Sequence, residues 1–223
     1  GNSYVGGVVG FNTDAATIRA SHNAGAVNYS AGRGSNVSLN GYIGGVTALA
    51  HGTVTNNTNE GTVTSTSSVE NIHIGGIVGA WLSSDAVFNH NTIGNTAHVV
   101  AEGAALHTYA GGLAGQCAAT ETSYNTGAIT AGTYCGAIAG YATGSSTNCY
   151  YETGSASQAF GGSGMGSTPT ATAKKASEMT NKKLSGFNFD DVWESSIVSA
   201  PNHYSKNEII TGSVSALGAF QVG

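Results

Sequence analysis

The sequence predicts an all-β protein: a β-solenoid, built as a parallel β-helix of about five right-handed coils and closed by a C-terminal cap with a short helix. Two recurring motifs and an unusual composition support this prediction. A Gly-Gly-apolar-x-Gly motif or a close variant, led by an aromatic ring and one further residue, occurs five times, as YVGGVVG, YIGGVTA, HIGGIVG, YAGGLAG and YCGAIAG. Repetition every 20–50 residues or so is typical of solenoids, in which each unit buries its apolar surface against its neighbours.

The paired glycines of this motif are predicted to be structural. They are Gly6, Gly7, Gly44, Gly45, Gly75, Gly76, Gly111, Gly112 and Gly136. Glycine weakens the interior of a strand, so its return in every repeat indicates a bend or a close backbone approach that a Cβ would block. The apolar residues between the glycines are short β-branched runs, which favour strands over helices.

A second element, an asparagine followed by glycine, trails four of the glycine motifs, as SHNAGAV, NTNEGTV, NHNTIGN and SYNTGAI. Stacked copies are expected to form an asparagine ladder. His22 and His90 each precede an asparagine of this element, which predicts one outward column with Thr58 and Tyr124. Two coils at about 4.8 Å each separate these histidines too far to share a metal ion. His73 replaces the tyrosine of the glycine motif and is expected to be a packed aromatic substitute.

The composition of the chain excludes several classes of protein and of partner. Charged residues make up only 9% of the chain, and residues 1–173 hold two cations against seven acids. No basic stripe exists to neutralise phosphates, so nucleic acid is not an expected partner. No apolar run approaches the length that spans a bilayer. A disordered chain is excluded because apolar residues reach 40% and are regularly spaced.

Catalytic signatures are missing. The acids are scattered at different phases of the repeat, and no nucleophile motif, phosphate loop or metal-ligand spacing occurs. The sequence therefore predicts a protein that is not an enzyme and needs no cofactor or metal. Three cysteines, Cys117, Cys135 and Cys149, leave at least one thiol unpaired. Whether two of them form a disulfide stays open, because sequence cannot choose the pair.

The chain divides into repeats over residues 1–150 and a capping segment over residues 151–223, within one structural domain. A helix is predicted over about residues 171–184, with Thr170 or Thr172 as its N-cap. Phe187, Phe189 and Trp193 are expected to be buried over the last coil as the core of the cap, because an open solenoid end invites aggregation.

The iterated glycine motif with its trailing asparagine resembles the GLUG-motif repeats of bacterial surface proteins. The resemblance continues through NCYYETGS from Asn148, GGSGMG from Gly161 and FNFDDVW from Phe187, and covers about residues 4–193. Tyr151 stands where that family usually has tryptophan. The resemblance implies a secreted or cell-surface bacterial protein. Such repeats occur in adhesin-like proteins and in the non-catalytic region of immunoglobulin A metallopeptidases, and the family brings no catalytic residues.

Two functions follow as expectations. The first is a non-catalytic extracellular module, the stalk or binding face of an adhesin-like protein that contacts a host glycan or glycoprotein. The second is an accessory domain that positions substrate for another domain of a secreted hydrolase, such as an immunoglobulin A peptidase. The contact surface is predicted at Tyr150, Tyr151 and Phe160, aromatic residues among glycines, and at the loop that carries Arg33.

Overall fold

A computed structural model of the chain describes residues 2–32, 39–179, 184–189, 192–194 and 202–203. Parallel strands from successive repeats stack into five sheets that run along the molecule. Three of the sheets contain five strands, one from each repeat, so that about four turns separate the first strand from the last. The predicted all-β parallel solenoid is confirmed.

Each coil contributes one short strand to each sheet in turn. Sheet 1 contains Ser3–Gly6, Asn40–Gly44, Asn71–Gly75, His107–Gly111 and Tyr134–Gly136. Sheet 2 contains Val9–Asn12, Thr47–Ala50, Val78–Trp81, Ala114–Cys117 and Ala139–Ala142. Sheet 3 contains Thr17–Arg19, Thr53–Thr55, Phe88–Asn89, Thr120–Glu121 and Ser146–Thr147.

The remaining sheets follow the same order. Sheet 4 contains His22–Asn23, Thr58–Asn59, Thr92–Ile93, Tyr124–Asn125, Tyr150–Glu152 and Thr172–Lys174. Sheet 5 contains Val27–Tyr29, Val63–Ser65, Val99–Ala101 and Ile129–Thr130. Outside the solenoid, Trp193–Glu194 pairs antiparallel with Asn202–His203. The described helical structure is one 3₁₀ turn, Ala176–Glu178, and no helix among the described residues is long and apolar enough to cross a membrane.

Apolar side chains stack in columns inside the coils. One cluster lies between sheets 1 and 5 and includes Ile43, Ile74 and Val63, none of which has any exposed surface. A larger cluster joins sheets 2, 3 and 4. Because side chains of a strand alternate between its two faces, residues on either side of each buried position of sheet 1 point outward. This alternation places the aromatic residues of the glycine motif on the outer surface.

The paired glycines lie where the chain folds sharply from sheet 1 to sheet 2. A Cβ on Gly44 would overlap the carbonyl oxygens of Thr47 in its own coil and Ile77 in the next. A Cβ on Gly45 would overlap the carbonyl oxygen of Gly76 and the side chain of Asn59. The close backbone approach expected for the glycine motif is therefore present. It allows the chain to turn tightly between the strand of sheet 1 and the strand of sheet 2.

A left-handed residue forms the corner between sheets 3 and 4 in every coil. The residues with positive φ are Ala20, Asn56, His90, Thr122 and Asn148, with φ between 44° and 56°. From the second coil onward, the next residue links to the preceding coil through its side chain. Asn57 Oδ1 accepts from the amide of Ser21 at 3.1 Å, and Asn91 Oδ1 accepts from the amide of Asn57 at 3.1 Å.

The prediction that His22 and His90 lie in one column is wrong. His22 pairs in register with Thr58, but Thr58 pairs with Thr92, and Thr92 with Tyr124. His90 instead occupies the left-handed corner. The third repeat is offset from the others by two residues at this motif, because Ile93 rather than Asn91 aligns with Asn59. The asparagine ladder of sheet 4 is interrupted there.

The start of the predicted C-terminal helix is also wrong. Thr172–Lys174 forms a sixth strand of sheet 4 and pairs with Tyr150–Glu152. The 3₁₀ turn follows with Lys175 as its N-cap, so neither Thr170 nor Thr172 caps a helix. The open edge of the last coil offers unpaired backbone groups to this segment, and satisfying them outweighs its helix propensity. Residues 180–183, the end of the predicted helix, lie outside the described residues.

The aromatic residues of the cap pack against the side of the solenoid as well as its end. Phe187 and Trp193 are buried, and Phe189 is partly buried against them. The ring of Trp193 lies 5.8 Å from that of Tyr124 in the fourth coil and 6.1 Å from that of His90 in the third. These residues were expected to be buried over the last coil, and Trp193 in addition reaches the side of the third and fourth coils. The lateral packing follows from the outward tyrosines of sheet 4, which offer an apolar surface.

Candidate functional site

Five aromatic rings form a continuous stack on the outer surface of sheet 1. They are Tyr4, Tyr42, His73, Tyr109 and Tyr134, the ring-bearing residues of the five glycine motifs. Successive ring centroids are separated by 5.5, 4.9, 4.7 and 4.8 Å, with interplanar angles of 15° or less. The spacing follows from the distance between stacked coils, so the backbone fixes the rings in place.

A second column of mixed side chains, with a ring only at each end, flanks this stack on sheet 2. Its members, in order of coil, are Phe11, Leu49, Ala80, Gln116 and Tyr141. Phe11 contacts Tyr4 with ring centroids 5.9 Å apart. Tyr141 meets Tyr109 and Tyr134 edge to face, at 6.0 and 5.9 Å. We call the two columns together the aromatic strip.

Polar side chains run along the other border of the strip. Asn2, Asn40, Asn71 and His107 each lie two residues before a ring, on the same side of the strand. Asn71 Nδ2 donates to Asn40 Oδ1 at 2.8 Å, and Asn2 Oδ1 accepts from the backbone amide of Asn40 at 3.3 Å. The amides are thereby oriented by each other, and each retains capacity for a further hydrogen bond.

Exposure changes along the strip. Tyr4 and Phe11 in the first coil are 42% and 48% exposed, whereas His73 in the middle is 8% exposed. Burial lowers the pKa of His73 to about 4 and raises the pKa values of Tyr42 and Tyr109. These three rings are therefore uncharged at neutral pH.

The described residues contain no group of three or more histidine, cysteine, aspartate or glutamate side chains placed to hold a metal ion. A cleft of about 380 Å³ lies between sheets 2 and 3 and is lined by Asp14, Thr53, Ser84 and Asp85 among others. Its two carboxylates come from the first and third coils. Asp14 Oδ1 lies 3.7 Å from His51 Nδ1, but its side chain is 91% exposed. This arrangement offers no buried acid or base of the kind that general acid–base catalysis uses.

The predicted contact residues near the end of the repeats have structural surroundings. Tyr150 is only 6% exposed, and its hydroxyl donates to the carbonyl oxygen of Ser185 at 3.0 Å. Tyr151 and Phe160 are partly buried against the main core cluster, where they cover the end of the last coil. The exposure on which the prediction rested is thus absent at Tyr150 and reduced at the other two. Arg33 lies outside the described residues.

The three cysteines are free thiols. Cys117 and Cys149 are buried in the same core cluster. Burial raises the pKa of each of these two thiols to about 12, so neither is a thiolate at neutral pH. Cys135 is half-buried, and burial raises its pKa as well.

The aromatic strip is not predicted as a candidate site from the sequence, although the rings of its first column belong to the five glycine motifs. The leading aromatic residue of each glycine motif marks the ring stack, and His73 was interpreted as a packed aromatic substitute, which the structure confirms. The flanking column had no such signal, because Phe11, Leu49, Ala80, Gln116 and Tyr141 share no residue type. Only the parallel register of sheet 2 brings these positions together.

Fold and site together define the class of molecule: a parallel β-solenoid with a continuous stack of aromatic rings along one sheet. Comparison of the chain with known protein families, curated proteins and solved structures gives no match.

Proposed function

We propose that this chain is a non-catalytic binding module of an extracellular bacterial surface protein, and that it contacts a host glycan or glycoprotein through the aromatic strip. The observation that supports the proposal most directly is the unbroken stack of five rings beside a column of amides. Aromatic and amide side chains recognise ligands without chemistry, because rings supply contact area and amides supply directional hydrogen bonds.

The shape of the surface agrees with binding rather than catalysis. A solenoid presents a long and shallow surface, whereas catalytic sites are concave and shield their reacting groups from water. The resemblance to GLUG-motif repeats supports an extracellular location and an adhesin-like parent protein. In a parent chain with a hydrolase domain, the same strip would position the substrate for that domain.

The proposal is tested by a binding screen of the purified chain against immobilised glycans, mucin, immunoglobulin A and extracellular matrix proteins. We expect saturable binding to at least one class, and loss of that binding after thermal unfolding of the sample. A natively folded chain that binds nothing on the panel would contradict a recognition role and favour a spacer.

A further inference from the structure

Two hydroxyl groups in the interior of the last two coils have no hydrogen-bond partner among the described residues. They belong to Thr120 and Ser146, which are 1% and 2% exposed. Thr120 pairs in register with Ser146 in sheet 3, so the two side chains point the same way into the coils. A buried hydroxyl without a partner costs free energy, because it has given up its hydrogen bonds to solvent. Two such groups at neighbouring positions therefore require an explanation.

The inward column of sheet 3 changes from apolar to polar along the solenoid. Its first three members, which align in register and are buried, are Ile18, Val54 and Phe88. Thr120 and Ser146 continue the same column in the fourth and fifth coils. Apolar side chains occupy this position in three coils, so the repeat itself does not require a hydroxyl there. The two hydroxyls therefore indicate a separate polar site in the last two coils.

The distance between coils limits how these hydroxyls can be connected. Strands of neighbouring coils lie about 4.8 Å apart, and a direct hydrogen bond between hydroxyls needs an oxygen–oxygen distance of about 2.5–3.0 Å. In-register side chains can lean together, as Thr92 Oγ1 and Thr58 Oγ1 do at 3.1 Å in sheet 4. Thr120 and Ser146 make no such contact. One water molecule that hydrogen-bonds to two oxygens joins groups about 4.5 Å apart, which is close to the spacing of the coils.

Comparison of two coils indicates room for this water. The chain takes the same number of residues from Ala50 to Val54 in the second coil as from Ala142 to Ser146 in the fifth. The two alanines occupy one column of sheet 2, and both are fully buried. Ser146 therefore replaces a valine and lacks one of its methyl groups. A methyl group is similar in size to a water molecule, which takes up about 30 Å³.

A thiol borders the same place. The sulfur of Cys149 lies 3.6 Å from the carbonyl oxygen of Thr120 and 3.4 Å from that of Thr147. Burial raises the pKa of this thiol to about 12, and the nearby side chain of Thr120 acts in the opposite direction. A neutral thiol is only a weak hydrogen-bonding group, so it does not replace a strong partner for the Thr120 hydroxyl.

We infer that Thr120 and Ser146 bind a single water molecule in the interior of the solenoid. Both hydroxyl groups hydrogen-bond to this water, and the Cys149 thiol lies beside it. The water satisfies the two hydroxyls and joins the fourth coil to the fifth. Buried waters of this kind connect polar groups that otherwise have no partner, and they are part of the folded structure. The site lies inside the coils and is independent of the proposed surface contact.

The stability of a variant without the hydroxyl distinguishes a bound water from a group without a partner. Thr120→Val keeps the shape of the side chain and removes the hydroxyl. We expect the equilibrium constant for folding, measured by urea unfolding of the whole chain, to fall by about tenfold, because the bound water loses a partner. If the Thr120 hydroxyl had no partner, its removal would raise this constant, and that result would overturn the inference.

Thr47→Val is the matched control. Thr47 is fully buried, and its hydroxyl also has no partner among the described residues. Its in-register neighbours in sheet 2 are Val9 and Val78, which carry no hydroxyl to share a water. We expect Thr47→Val to leave the folding constant unchanged or to raise it. Equal losses in Thr47→Val and Thr120→Val would show that any buried threonine responds in this way, and they would overturn the bridged pair.

The double variant Thr120→Val/Ser146→Ala tests whether the two hydroxyls share one water. Its folding constant should be no lower than that of Thr120→Val alone, because replacing both partners leaves no polar group unsatisfied. Losses that add up in the double variant would mean that the two hydroxyls act separately, which contradicts a shared water.

A crystal structure of the parent chain locates the bound molecule directly and does not depend on the folding of any variant. We expect one peak of electron density at about 2.5–3.0 Å from both Thr120 Oγ1 and Ser146 Oγ. A direct hydrogen bond between the two hydroxyls, or a dry space between them, would overturn the inference.

Discussion

The imidazole ring of His73 stacks on the phenol ring of Tyr109 with centroids 4.7 Å apart and planes 10° apart. Tyr42 covers the opposite face of the imidazole at 4.9 Å. A titratable group is thus held in the middle of an aromatic stack, where it behaves as a neutral ring. The burial of this imidazole therefore predicts how the free energy of unfolding depends on pH.

His73 should make the fold sensitive to acid. Burial lowers its pKa from 6.5 to about 4, so the unfolded chain binds a proton more readily than the folded chain between these values. The corresponding stability is fully present above pH 6.5 and is lost as pH falls towards 4, by about 3 kcal/mol. His73→Tyr, which copies the other coils, should remove this part of the loss in urea unfolding at pH 7 and pH 4. An equal pH dependence in both proteins would refute the assignment.

Gly44→Ala should be severely destabilising. The added Cβ would overlap the carbonyl oxygens of Thr47 and Ile77, which belong to the backbone and cannot move aside. We expect a loss of several kcal/mol, in the range of about 3 kcal/mol or more, or failure to fold. Gly132→Ala is the matched control, because no atom lies within 4 Å of its added Cβ. The control should change the melting temperature little or raise it. Similar melting temperatures for the two variants would contradict the role of the motif.

Asn57 should be indispensable at the corner between sheets 3 and 4. Its buried side chain accepts from the amide of Ser21 and donates to Asn91 Oδ1 at 3.0 Å. Asn57→Ala removes the acceptor of the Ser21 amide and the side-chain donation to Asn91 Oδ1, which keeps only the backbone amide of residue 57, and we expect a cost of about 1–3 kcal/mol. Asn28→Ala, an exposed asparagine in a strand of sheet 5, should cost less than about 0.5 kcal/mol. Chemical denaturation measures both, and a cost at Asn28 as large as that at Asn57 would argue against a structural role for the side-chain hydrogen bonds at this corner.

The thiols should be free and slow to react. Cys117 and Cys149 are buried with raised pKa values, so a thiol reagent at pH 8 should modify them only as fast as the protein unfolds. Cys135 is half-buried and should react first. After denaturation without reductant, three thiols should be titrated. A count of one would indicate a disulfide within the chain and contradict the free state of all three cysteines.

The repeat itself was predictable because it depends on local rules. Gly44 and Gly45 recur with their counterparts at a regular place in each unit, and only glycine tolerates the backbone approach that the turn from sheet 1 to sheet 2 requires. The alternation of Ile43 with Tyr42 likewise follows from the two-residue period of a strand. Both features are written in a few neighbouring residues, so the sequence alone is sufficient to recognise them.

The alignment of residues between neighbouring coils was harder to predict, and the two errors, at Asn91 and at Thr172–Lys174, have the same cause. Asn91 matches the motif asparagine by sequence, yet Ile93 occupies that position, because the left-handed corner at His90 sets where the strand of sheet 4 begins. Similarly, Thr172–Lys174 joins sheet 4 rather than a helix because the last coil presents an open edge. In each case a neighbouring coil overrides the local signal.

By itself, the amino-acid sequence determined that this protein is a parallel β-solenoid, with glycines at its bends and one aromatic residue per coil. These properties follow from short-range sterics and from side-chain alternation within a strand. Tertiary structure alone decided that Phe11 joins Tyr4, that Tyr150 is buried beneath Phe187 and that Trp193 reaches the third coil. Those contacts join residues distant in the chain, and stacking of coils about 4.8 Å apart fixes which of them meet.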